Sequence, residues 1–380
     1  MPTKAIVTTT RPASVHQRRA DRFASLRALW DVTRLDRLRG CSRWLVNAGD
    51  GVPVVQSGDG CHLANLQRCA SIWACPCCSA KIRSRRSDDI EKAANLHRAA
   101  GGTVVMVTLT VKHSRDQTLA LLLGAVAGAW RGLLAGRAAK DFRQAHGVVG
   151  FVRAIEITHG EHGWHPHLHV LFFLEGEADE ARCHRLEREL TRRWLDQVEA
   201  HGLARPLDGV AVRLSVGDVA SYVAKVQDDE SARSLALEVT RHDLKEGRRH
   251  GRTPFQILRD FRQTGDVADL VRWWEYERAT FGRRAITWSV GLRARFPELG
   301  AEATDDEVAE GPEGGTVLAV IPPTTWAELV KLPAGPAVVL TAAEDGGVKG
   351  LVLALRLLGL PGVVEVPPPP PPPGPPPPWA

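Results

Sequence analysis

Hydrophobic positions recur with two periods along the chain, and the alternation of those periods sets out the elements. Residues 21–39 carry Phe23, Leu26, Leu29, Trp30 and Leu38 among arginines, the spacing of an amphipathic helix. Residues 79–100 predict a second helix, opened by Ser79 and closed by Gly101-Gly102, with a strongly basic first half. Leu119, Leu122, Leu123, Val126 and Trp130 form an apolar stripe within a helical stretch at 116–146. Residues 178–201 and 258–279 read the same way, the latter with Leu270, Trp273, Trp274 and Tyr276 as core positions. Between these lie runs rich in β-branched residues at 103–111, 147–158 and 210–216, each of strand length. Past residue 316 the pattern weakens: 317–321 and 338–340 are strand-like, 325–330 and 348–358 helical.

The most informative strand is 163–173, which reads Gly163-Trp164-His165-Pro166-His167-Leu168-His169 and then turns apolar. Side chains in a strand alternate faces, so His165, His167 and His169 share one side while Leu168, Val170 and Phe172 can be buried on the other. Imidazoles so spaced can converge on one divalent cation. Pro166 cannot donate to a ladder, so it marks the first residue of the strand or an edge. Glu156 stands among apolar neighbours in the preceding strand and needs a partner. A hairpin through 159–164 brings it to His167 and His169, and a salt bridge to Arg153 is the competing reading.

Composition adds two constraints. Six of the seven cysteines lie between residues 41 and 78, a density that reads as a metal site. Cys75 and Cys78 form a Cys-x-x-Cys knuckle and Cys69 is the obvious third ligand of a structural zinc, with Cys41, Cys61, Cys77 or His62 as the fourth. The net charge of +5 hides an asymmetry. Residues 1–295 hold 46 basic and 33 acidic residues, whereas the remainder holds 3 and 11. A basic body suggests a polyanionic partner, nucleic acid first. Lys81, Arg83, Arg85 and Arg86 are candidate phosphate contacts. No 18-residue apolar run and no signal peptide are seen, so the chain is expected to be cytoplasmic, with no membrane partner.

Tyrosine is scarce: Tyr222 and Tyr276 only. Residues 217–226 predict a helix in which Asp218, Tyr222 and Lys225 share a face and Val216, Val219, Val223 and Val226 form a packing seam. A tyrosine hydroxyl can attack phosphorus, and a lysine one turn on can stabilise the charge that develops. Tyr276 has no lysine or histidine at helical spacing. The chain lacks a His-Glu-x-x-His motif, an internal repeat and a phosphate-cradling glycine loop.

The order Thr108-Leu109-Thr110, His167-Leu168-His169 and Tyr222-x-x-Lys225 resembles the three motifs of the HUH endonucleases. More closely, residues 41–289 resemble the single-tyrosine rolling-circle replication initiators of actinobacterial plasmids. The resemblance implies an α+β fold, a central antiparallel sheet flanked by helices, with the histidine strand in the middle, the tyrosine helix against it and an N-terminal zinc knuckle. It implies Mg²⁺ or Mn²⁺ on His167 and His169 with Glu156 completing the site and His165 beside it. It makes Tyr222 the nucleophile, with Lys225 assisting, and Asp218 where some initiators carry a terminating glutamate. Zinc then falls to Cys75, Cys78, Cys69 and Cys41. Thr108, Thr110 and Lys112 join the DNA-binding set. The partners implied are DNA, as a double-strand origin and a single-stranded nick site, and host helicase and polymerase. Relaxases and transposases share the chemistry, and a non-catalytic zinc-containing DNA-binding regulator is the reading from another class.

The expected division is a basic N-terminal arm and helix at 1–40, a cysteine-rich segment with its basic helix at 41–100, a nuclease core at 101–230 and a helical part at 231–295. An acidic linker at 296–316, a small appended domain at 317–362 and a proline-rich tail at 363–380 follow.

Overall fold

The structure is a computed structural model of the 380-residue chain, and it describes residues 15–58, 60–215, 251–311 and 314–360. The expected arm before residue 15, the 217–226 helix with Asp218, Tyr222 and Lys225, and the proline-rich tail lie outside the described residues. The chain divides into two units, one holding Ala70–Asp305 and the other Ser14–Cys69 with the chain from Asp306 onward.

The first unit is built on a five-stranded antiparallel sheet. Its strands are β3 (Thr103–Leu109), β4 (Val148–Gly160), β5 (Gly163–Leu174), β6 (Val212–Ser215) and β7 (Ile286–Trp288), numbered after the two strands of the other unit that precede them. Their order is β6-β3-β5-β4-β7, so the histidine strand β5 is central, as the family resemblance implied. Pro166 is not at its start. It pairs with Ile157 of β4, while β3 reaches only as far as Leu168, so no β3 neighbour needs the N–H that proline lacks.

Both faces of β5 are buried. Leu168, Val170 and Phe172 face one way, and Phe172 meets Phe142 and Phe151 edge-on. On the other face Leu171 and Phe173 join Val152 and Ala154 in a core closed by Ile90, Ala93 and Ala94 of α3 (Pro76–Ala99). That helix starts earlier than its sequence suggested. Cys75 is the N-cap and Pro76 the first helical residue, while the Ser79 hydroxyl donates to Ile72 O inside the first turn.

Two expected long helices are broken. The 116–146 stretch is α4 (Leu119–Leu133) and α5 (Gly136–His146), bent by 69°, with Gly136 at a positive φ. The 258–279 stretch follows α6 (Glu180–Ala200) and the short α7 (Asp208–Ala211). It is α8 (Pro254–Thr264) and α9 (Val267–Thr280), separated by Gly265 in the left-handed region and capped anew by Asp266. Among the described residues no single helix is long and apolar enough to cross a membrane.

The second unit is built from two stretches distant in sequence, within 15–69 and 306–360. Its sheet has the order β2-β1-β8, with β1 (Val52–Ser57) central between β2 (Gly60–Leu63) and β8 (Thr316–Ile321). The stretch read as an appended domain therefore supplies an edge strand to the same sheet as residues 52–63. Helices α1 (Val15–Val32) and α2 (Asp36–Gly40) precede that sheet. After α10 (Asp305–Glu310) and β8 come α11 (Pro323–Leu329) and α12 (Gly335–Leu357). Residues 338–340 are helical within α12, not strand. Glu344 of α12 takes a two-pronged hydrogen bond from Arg19 at 2.7 and 2.8 Å and a third from Cys61 N at 2.8 Å.

Candidate metal centre

The β4–β5 pairing sets Glu156 directly across from His167 and Ala154 across from His169, and β3 places Thr108 on the other side of His169. Period-two alternation then puts Glu156, His167, His169 and Thr108 on one face. One carboxylate oxygen, Glu156 Oε2, accepts from Nε2 of His167 at 2.7 Å and from Nε2 of His169 at 2.6 Å. Arg153 is three residues from Glu156, hence on the opposite face, and its guanidinium donates to Thr287 Oγ1. The competing salt bridge therefore does not form.

The electrostatics favour a cation. Burial alone would raise the Glu156 carboxyl, but His167 beside it and the hydrogen bonds from both histidines hold it well below the usual carboxylate range. Burial pushes His169 down to about 4 against the pull of Glu156. Burial and the neighbouring His167 and His113 push His165 down to about 3. At neutral pH the site thus offers an ionised Glu156 carboxylate and a neutral His169 imidazole, the protonation states in which both groups ligate a metal. The ligand atoms of Glu156, His167 and His169 lie within 4.8 Å of one another, and the donor set of two nitrogens and one oxygen fits a divalent ion of the Mg²⁺, Mn²⁺ or Zn²⁺ kind.

His165 is not part of that group. Its ring stacks against His113 at 4.6 Å and meets His167 at 5.1 Å, and its Nε2 has no hydrogen-bond partner among the described residues. Thr108 has a role that its sequence did not disclose. Its Oγ1 lies 3.1 Å from His169 Nδ1, and a hydroxyl can donate or accept, so it holds the ring whichever nitrogen carries the proton. The signal was the register of β3 against β5, which no single segment contains. Thr110 Oγ1 donates to Val210 O at 2.7 Å.

The basic set on α3 divides. Arg83 is 4 % exposed; it donates to Ser79 Oγ and lies over the Trp73 ring. Arg86 is also buried, donating to Ala303 O at 2.7 Å and Asp305 Oδ1 at 2.8 Å and pairing with Glu302. Both face inward, so the reading of them as phosphate contacts is corrected. Glu302 and Asp305 of the expected linker are the partners of Arg86. Arg85 and Lys112 point outward, and Lys81 is half-buried.

Of the candidate zinc ligands, Cys75 and Cys78 lie buried in the first unit, with Cys78 N donating to Cys75 Sγ at 3.4 Å, and Cys41 and Cys69 lie buried in the second. A Cys-x-x-Cys pair at the start of a helix can hold one side of a zinc ion.

The described fold is thus that of a mixed protein in which antiparallel sheets are flanked by helices and the larger sheet carries a carboxylate–histidine cluster. A family model described as "Replication protein" matches residues 61–182. "Protein rep" of Streptomyces lividans is 32 % identical over 327 residues, covering 69 % of this chain and 71 % of that protein. "Neomycin resistance protein" of Streptomyces cyanogenus is 31 % identical over 158 residues, 35 % of this chain and 36 % of that protein. No solved structure matches. The chain belongs to the replication protein family.

Proposed function

We propose that this chain starts rolling-circle replication of a plasmid by nicking one strand of its origin through a tyrosine–DNA intermediate. The observation that carries the reading is the shared Glu156 oxygen between His167 and His169 in a member of the replication protein family. A divalent cation held by Glu156, His167 and His169 would polarise a phosphodiester oxygen. Tyr276 is fully buried and its hydroxyl donates to Trp73 O at 3.2 Å, so of the two tyrosines the nucleophile is Tyr222. Its oxygen attacks phosphorus, the P–O3′ bond breaks, and the 5′ phosphate stays on the tyrosine while the 3′-hydroxyl primes synthesis. Lys225 stabilises the charge on the attacked phosphate. Asp218 accepts a proton in the step that ends the round, when water or a second hydroxyl releases the protein. The outward-facing Arg85 and Lys112 contact phosphates. The setting is the cytoplasm, with host helicase and polymerase extending the primed strand.

The test is a denaturing gel of the protein incubated with Mn²⁺ or Mg²⁺ and single-stranded oligonucleotides tiled across its replicon. A covalent adduct is expected, lost in both Tyr222→Phe and His167→Ala. An adduct that survives in Tyr222→Phe overturns the mechanism.

A further inference from the structure

The second unit contains a cavity of about 530 Å³ that the metal centre does not use. Three tryptophans, Trp30, Trp44 and Trp326, line it together with Arg27, Arg43 and Lys331; the acid on its wall is Asp31. Trp30 and Trp326 are buried, and Trp44 is 48 % exposed. The Arg43 guanidinium sits over the Trp30 ring at 5.3 Å. Among the described residues no carboxylate pairs with Arg27 or Arg43.

We propose that this cleft binds an unpaired nucleotide of single-stranded DNA, the base against Trp44 and the adjoining phosphates on Arg27 and Arg43. Three features point to that ligand. The size falls in the range of ligand pockets, about 300–1,000 Å³. An exposed indole offers a face on which any base stacks, and two guanidiniums without carboxylate partners offer charge for phosphate. The indole N–H of Trp30 donates to Cys41 O at 3.0 Å and that of Trp326 to Arg43 O at 2.9 Å, so neither is left to read a base edge. Recognition is therefore by stacking and charge, tolerant of sequence, and distinct from any reading of the origin. An acidic peptide would satisfy the arginines but leave the indole without a flat partner. The presence of single-stranded DNA rests on the replication reading above; the cleft's affinity does not.

The experiment measures binding of a fluorescent oligothymidylate and of a duplex by anisotropy, using the full chain carrying Tyr222→Phe so that no covalent capture intervenes. Trp44→Ala is expected to weaken single-strand binding about tenfold, with Trp44→Phe restoring most of it. The Arg27→Gln/Arg43→Gln double variant is expected to lower the log–log salt slope by about 1.4, as for two lost phosphate contacts on a single strand. Duplex binding should be unaffected by Trp44→Ala, and Trp44→Ala in the parent chain should still form the covalent adduct. Single-strand affinity and salt slope unchanged in both sets of variants overturn the proposal. Equal losses on duplex and single strand overturn the stacking. If single strands ignore Trp44 but removal of residues 361–380 changes the accessibility of its indole to a quencher, the occupant is the chain's own proline-rich segment and the proposal fails. Failure of the parent to form any adduct bears on the nicking reading alone.

Discussion

Glu156 is worth following first, because a carboxylate on a mostly apolar strand must be answered by something. Here two imidazoles answer it with one oxygen, an arrangement whose three atoms are the natural ligands of a cation. Thr108 then acts on the site through His169, whose Nδ1 lies 3.1 Å from its hydroxyl. Thr108→Val is expected to raise the Mn²⁺ dissociation constant about tenfold, measured by titration calorimetry, with the fold unchanged. An unchanged constant would remove Thr108 from the site. Arg86 makes the opposite point, since a residue that reads as DNA-binding is held inside. Arg86→Ala is expected to cost roughly 1–3 kcal/mol in urea unfolding because Asp305, Glu302 and Ala303 O lose their donor. The salt dependence of DNA binding should stay as it was.

At the scale of elements, the β4–β5 hairpin does most of the positioning. Its pairing runs from Gly160 opposite Gly163, where Gly163 takes a φ of 89°, so the turn itself sets which histidine meets Glu156. The far end of β5 is tied to α3 by His97, whose Nε2 donates to Leu174 O at 2.9 Å and whose ring packs on Phe173 and Phe296. A Cβ at Gly102 would come within 2.3 Å of that ring, which is why glycine follows the helix there. Burial holds His97 below the ordinary histidine value. The unfolded chain therefore takes up a proton at a higher pH than the folded one does. Stability should be full above about pH 6.5 and decline as pH falls toward the folded value. His97→Gln, which keeps a donor, should flatten that decline between about pH 7.5 and 5.5 in urea titrations. A slope identical to the parent's would show that other groups cause it.

At the scale of the whole chain, the acidic end is not an appendage. β8 pairs along β1, and Ala319, Ile321, Trp326 and Leu329 are buried. Removing residues 306–380 should expose β1 as an apolar edge and make the product aggregate in size-exclusion chromatography. A monomeric, cooperatively melting truncation would show instead that residues 14–69 hold together without it. The charge asymmetry also changes meaning, since Glu302, Asp305 and Glu344 are partners of internal arginines and not a solvated tail.

What could be read from sequence alone was whatever is local. Strand alternation placed three histidines on one face, a hairpin length brought Glu156 to two of them, and cysteine spacing named the knuckle pair and its neighbour Cys69. Helix breaks at Gly136 and Gly265 were the local signals passed over, because an apolar stripe continues on both sides of each. What only the tertiary structure decided depends on contacts between distant residues. It turned Arg83 and Arg86 inward, gave Thr108 to His169, and paired residues 316–321 with 52–56. Local pattern records which side of an element is apolar; it carries no record of which other element will cover that side, and burial, ion pairing and ligand choice all follow from the cover.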